Sequence, residues 1–137
     1  GAARTPLAAA APAAVASDAP IDLRALADLR AVNPARGDEL VARVVTTFLA
    51  AVPPQLDLLR KATAEHDAHA LRDVAHSLKS SAAHLGASRL SALAREIEQH
   101  GRDGFADPAV PLVDALCDEF ERVRTALSPL ASTGSSA

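Results

Sequence analysis

With 137 residues, 49% of them apolar, the chain is long enough to bury one core and short for two domains. A formal net charge of −3 and a pI near 5.9 give no electrostatic footprint for nucleic acid or for an anionic membrane, and no block of like charges stands out. No run reaches the roughly 18 to 20 apolar residues that span a bilayer, and the Ala-rich start lacks the charged and Leu-rich regions of a secretion signal, so a soluble cytoplasmic domain without direct membrane contact is expected.

Residues 1–20 hold ten Ala and three Pro, with Leu7 and Val15 as their only large apolar residues, and read as a flexible linker. Asp22 is the first helix-cap signal, with Ile21 before it and Leu26 after it as a hydrophobic staple for a short helix "LRALADLR". A second helix is expected from about Asp38 to Val52, with Leu40, Val44, Phe48 and Val52 at i+4 steps and "VPP" as its end. A third opens near Pro54, carries Leu56, Leu59 and Ala62, and fades near Glu65. A fourth is capped by Asp67 and runs to Leu85, where Gly86 supplies a left-handed stop. A fifth, "RLSALAREIEQH", is capped by Ser88, carries Leu90, Leu93, Ala94 and Ile97, and ends at Gly101. Asp107 and Pro108 open a sixth, with Leu112, Leu116, Phe120, Val123 and Leu127 on one side. The lone cysteine, Cys117, falls among these apolar residues and reads as a buried, inert thiol. Residues 131–137 form a second polar, flexible end. Amphipathic helices with short connections bury their stripes most simply as an antiparallel bundle over residues 21–130.

The fourth helix carries the chemistry. Leu71, Val74, Leu78, Ala82 and Leu85 recur at 3- and 4-residue steps and set its core face. His76 falls opposite, in line with His69, Asp73, Ser80 and Ala83 and flanked by Arg72 and Lys79. A histidine there is either a plain surface residue or a working one. Lys79, three residues on, can bring an ammonium to the same patch, and a neutral imidazole beside an ammonium suits a phosphoryl group: nitrogen as nucleophile, cation on the phosphoryl oxygens. Ser80 and Ala83 are small and leave the ring open to a large protein donor. The chain has no G-x-x-x-x-G-K-[ST] and no G-x-G-x-x-G, so autonomous kinase activity on a nucleotide is not expected.

These residues resemble the histidine-containing phosphotransfer (HPt) domains of two-component phosphorelays. The family's segment H-x-L-K-G-S-[SA]-x-x-[LIV]-G is matched from His76 through Ser77, Leu78, Lys79, Ser80, Ser81, Ala82, Ala83, His84 and Leu85 to Gly86, with Ser80 where glycine is commonest. The similarity extends more loosely over Ile21 to Leu127. It implies an all-α fold, an antiparallel four-helix bundle with accessory N-terminal helices. It also implies a phosphorelay intermediate that accepts a phosphoryl group on His76 from a receiver-domain aspartate and passes it to another. Lys79 is then the phosphoryl-stabilising residue, and Arg72, Ser80, Ser81, Ala83 and Arg102 are the receiver-docking surface. Arg102 reads equally as a solvated helix-end arginine. The partners implied are receiver domains of response regulators or of the same hybrid kinase. No cofactor is expected on this chain, Mg²⁺ belonging to the receiver. The Ala/Pro linker and the initial Gly fit a piece excised from the C-terminal end of a hybrid sensor kinase, tethered to the membrane through that larger protein.

The remaining histidines carry less. His66 and His69, three apart, and His84 on the same helix as His69 lack a third ligand at zinc spacing, so no metal is expected and solvated helix-end residues account for them. His100 beside Gly101 is a cation near a helix C-terminus. The alternative to a phosphoryl carrier is a helical docking or inhibitory module that binds kinase or receiver domains without using His76 chemically; such a module would need neither His76 nor Lys79 on the exposed face.

Overall fold

The structure, a computed structural model, describes residues 19–131. The expected linker, up to residue 18, and the end from residue 132 lie outside the described residues. The elements are α1 (Leu23–Val32), a 3₁₀ turn (Pro34–Arg36), α2 (Gly37–Ala64), α3 (Ala68–His84), α4 (Ser88–Asp103), a second 3₁₀ turn (Asp107–Ala109) and α5 (Val110–Ala131). Helices α2 to α5 pack in a ring, α2 on α3, α3 on α4, α4 on α5 and α5 back on α2, and α1 lies against α2. This is the expected all-α four-helix bundle; where accessory N-terminal helices were expected, the described residues hold one, α1. Its interior is aliphatic, built on Leu59, Leu71, Leu78, Leu90, Ile97 and Leu116. The single aromatic contact in it sets Phe48 of α2 against Phe120 of α5 at 6.3 Å and 58°, a tilted arrangement that suits two ring quadrupoles. No helix among the described residues is long and apolar enough to cross a membrane.

Asp22 caps α1 as expected, its Oδ1 accepting the Arg24 backbone N–H at 3.0 Å, and both members of the staple, Ile21 and Leu26, are buried. The two helices expected around "VPP" are one. Helix α2 runs through Pro53 and Pro54 without ending. An interior proline costs about 3 kcal/mol or more through a lost hydrogen bond and a clash. Val52, Leu56 and Leu59 all bury on the core side of α2, each contributing roughly 1.5–3 kcal/mol. Both prolines are exposed, so continuing the helix keeps three core side chains in place at the expense of its outer face.

The stripe on the first half of α2 also differs. Val41, Val45, Phe48 and Val52 are buried, whereas Leu40 and Val44 are half-buried. Strict i+4 steps drift by about 40° per step around a helix that turns 100° per residue, whereas alternating steps of four and three stay on one line.

Three further boundaries move for local reasons. Ser88 is the first residue of α4 and not its cap; Ala87 occupies the cap position without a side-chain hydrogen bond. Helix α4 does not stop at Gly101 but runs to Asp103, and Gly104, at φ +88°, is its left-handed terminator. Gly101 lies inside the helix, buried against α3. Asp107 and Pro108 form a 3₁₀ turn ahead of α5, and the backbone carbonyl of Asp107 accepts the Val110 N–H. Cys117 is half-buried and touched by Arg60, whose Nη2 lies 3.3 Å from Sγ, because the same guanidinium spans α2 to α5 to reach Asp114 at 3.0 Å.

Candidate functional site: a surface histidine over a buried glutamate

Helix α3 begins under the side chain of Asp67, whose Oδ1 accepts the Ala70 N–H at 3.0 Å. It ends at His84, followed by Gly86 at φ +78°. Between these stops Leu71, Ala75, Leu78 and Ala82 face the core, with Val74 half-buried at its margin. The opposite face carries His69, Asp73, His76, Ser80 and Ala83, all exposed, with Arg72 and Lys79 half-buried beside them. The side chain of His76 is 61% exposed.

Under the imidazole lies Glu98 of α4, its side chain only 3% exposed. Burying a carboxylate costs several kcal/mol unless it is paired and hydrogen-bonded. Three donors meet this one: His76 Nδ1 at 2.8 Å and Arg102 Nη2 at 2.9 Å on Oε2, and Lys79 Nζ at 2.7 Å on Oε1. The Lys79 hydrogen bond holds the Glu98 carboxyl below the ordinary carboxylate range, helped by His76 and opposed by burial. An ionised carboxylate only accepts. Nδ1 of His76 therefore carries the proton, and the lone pair of the neutral ring is on Nε2.

Arg72, Asp73, His76, Glu98 and Arg102 line one shallow depression. Its far wall is a second network. Arg72 Nη2 donates to Asp73 Oδ1 at 3.1 Å and lies 3.2 Å from His69 Nδ1, while His69 Nε2 lies 3.3 Å from Asp73 Oδ2. The expected docking residues thus divide. Arg72 and Arg102 border the ring of His76, whereas Ser80 and Ser81 line a groove toward α2 with Val44, Phe48 and Val52. Ala83 stands exposed two turns beyond His76.

Glu98 is the member that periodicity did not single out. One signal was available: it falls between Ala94 and Gly101 at steps of four and three, next to Ile97, on the stripe α4 turns to the core. A glutamate in such a register needs cations within reach.

His66 pairs with Asp107 at 3.1 Å, His100 is half-buried in the last turn of α4, and His84 lines the groove. Among the described residues, no three metal-ligating side chains converge.

The Hpt domain model matches residues 43–126, which includes all of α3 and α4. The phosphorelay protein LuxU of Vibrio vulnificus, in strains YJ016 and CMCP6, is 32% identical over 90 residues, 66% of this chain and 78% of LuxU. The crystal structure of histidine-containing phosphotransfer protein B (HptB) from Pseudomonas aeruginosa PAO1 superposes with a TM-score of 0.74 at 29% identity, covering 82% of this chain and 95% of that one. With a surface histidine set on a buried glutamate and these likenesses along most of its helices, the chain belongs to the Hpt domain family, and its function is histidine phosphotransfer in a phosphorelay.

Proposed function

We propose that His76 carries the phosphoryl group and that it reacts through Nε2. The observation that carries this reading is the pairing of an exposed imidazole with a buried carboxylate at 2.8 Å, which fixes the proton on Nδ1 and leaves the outer nitrogen nucleophilic. Hpt phosphorelay proteins work with receiver domains, and the donor here is the aspartyl phosphate of a receiver. The Nε2 lone pair forms the N–P bond as the P–O bond to the aspartate breaks, and the aspartate leaves as a carboxylate. No proton has to move. The ring gains positive charge, and Glu98, already on Nδ1–H, offsets it. Reversal of the same step against another receiver passes the group on.

Lys79 and Arg102 are the cations of the site. Each is anchored on Glu98, and each has further N–H donors for phosphoryl oxygens, since an ammonium carries three and a guanidinium five. Arg72 beside the ring, with Ser80, Ser81 and Ala83 further along α3, forms the surface that a receiver meets. The Mg²⁺ of the transfer belongs to the receiver, and this chain supplies the acceptor and its cations.

Incubation with a phosphorylated receiver tests the assignment. The chain is expected to gain acid-labile, base-stable phosphate, and His76→Gln to gain none. The substitution should shift stability by within about 0.5 kcal/mol, because the position is exposed and glutamine can still donate to Glu98. Undiminished labelling of the variant would place the acceptor elsewhere.

A further inference from the structure

We propose that Gly101 is a positioning residue for phosphoryl transfer, setting the separation of α3 and α4 at which one glutamate can hold both His76 and Lys79. The inference rests on the reading of His76 as acceptor. A Cβ on Gly101 would stand 2.7 Å from the backbone N of Arg72, 2.8 Å from the carbonyl O of Ala68 and 2.9 Å from Arg72 Cα. All three are main-chain atoms of α3, and none can rotate aside. To restore ordinary contact at about 3.5 Å the two helices would have to part by roughly half an ångström to one.

The glutamate is one turn away. In the antiparallel pair, Glu98 precedes Gly101 by three residues and Arg72 precedes His76 by four, so the tight contact and the ion cluster are adjacent rungs of one seam. The rungs have no slack: Glu98 spans to Nδ1 at 2.8 Å and to Nζ at 2.7 Å, near the short end of the hydrogen-bond range. A separation of that size takes the carboxylate off one partner or both and admits water to a group now only 3% exposed. Helix propensity gives no reason for a glycine here, since alanine would favour the helix. Contact does.

The test compares Gly101→Ala with Gly104→Ala. Gly104 also lies at the end of α4, but its Cβ would meet nothing within 4 Å, so at φ +88° its replacement strains the backbone without pushing on α3. Two readouts separate positioning from mere loss of stability: the ¹⁵N shifts of the His76 ring, which report the Nδ1–H tautomer, and the transfer rate at saturating phosphorylated receiver. Gly101→Ala should mix the tautomers and slow transfer by roughly tenfold or more, the scale of a sub-ångström misplacement. Gly104→Ala should lower the melting temperature and leave both readouts native. A folded Gly101→Ala protein with the native tautomer and the native rate overturns the proposal.

Should Gly101→Ala not fold, Glu98→Asp on the native spacing takes its place. Shortening the carboxylate by one methylene should mix the tautomers in the same way, and a native ring pattern in that variant would show that the seam has slack and overturn the proposal too. If the wild-type chain takes no phosphoryl group on His76, the acceptor assignment fails and a role of Gly101 in transfer with it, while the tautomer comparison still decides whether Gly101 sets the separation at which Glu98 holds His76.

Discussion

Glu98 accepts from three neighbours, His76, Lys79 and Arg102, and in the proposed mechanism it fixes the proton of His76, anchors the two cations and offsets charge on the ring during transfer. Glu98→Gln separates these. An amide keeps the shape and can accept from Lys79, but its NH₂ can donate to Nδ1 as readily as its carbonyl can accept from it, so the tautomer is no longer dictated. Slower transfer with a mixed ¹⁵N pattern is expected. The variant also has a pH signature. The folded-state pKa of Glu98 is depressed, chiefly by Lys79, below an unfolded value of about 4.3. Its contribution to stability is therefore present above that value and lost as pH falls through the lower folded one. In melts from neutral to acid pH, Glu98→Gln should give a shallower loss of stability on the acid side than the parent. Parallel curves would mean that the carboxylate contributes nothing. His76 was legible in the sequence because a polar residue opposite a Leu/Ala stripe must face water. Glu98 was less so: its register between Ala94 and Gly101 marks it as core-facing, but the cations that meet it are not identified until the partner helix is placed.

At the scale of elements, stops and seams decide more than propensity. Gly86 terminates α3 at φ +78°, and a Cβ there would meet the Asp22 carbonyl O at 2.7 Å and Ala25 Cβ at 2.8 Å. Its own carbonyl accepts the Asp22 N–H at 2.7 Å, which ties the start of α1 to the end of α3. Gly86→Ala adds the strain of a left-handed alanine, about 1–2 kcal/mol, to that collision. Denaturant titration should show a loss above 2 kcal/mol or so, and a loss within about 0.5 kcal/mol would contradict the seam. Sequence alone marked Gly86, since a glycine after a periodic run is the usual helix stop. It misread Gly101 as a second stop, because nothing local distinguishes a glycine that ends a helix from one against which another helix closes. The Pro53–Pro54 pair failed in the opposite sense. The local penalty was read correctly, but the gain from burying Val52, Leu56 and Leu59 together belongs to the bundle and outweighs it.

For the whole molecule, the bundle followed from stripe spacing and short connections, and one of its faces gathers the chemistry. Arg72, Lys79 and Arg102 surround the ring of His76, and small residues continue along α3 to Ala83. If this is the docking face, as proposed, a receiver's acidic site would meet basic and small groups there. Ala83→Trp places a bulky ring two turns from His76 on an exposed position, so the fold should hold within about 0.5 kcal/mol while titration with a receiver shows weakened binding. Native affinity in that variant would move the docking surface off this face.

The most direct test of the account is the site of phosphorylation itself. After transfer from a phosphorylated receiver to chain labelled with ¹⁵N in its histidines, ³¹P and ¹⁵N spectra should place the phosphoryl group on Nε2 of His76, with Nδ1 still protonated and bonded to Glu98. A phosphoryl group on Nδ1, or on any other residue, would contradict it.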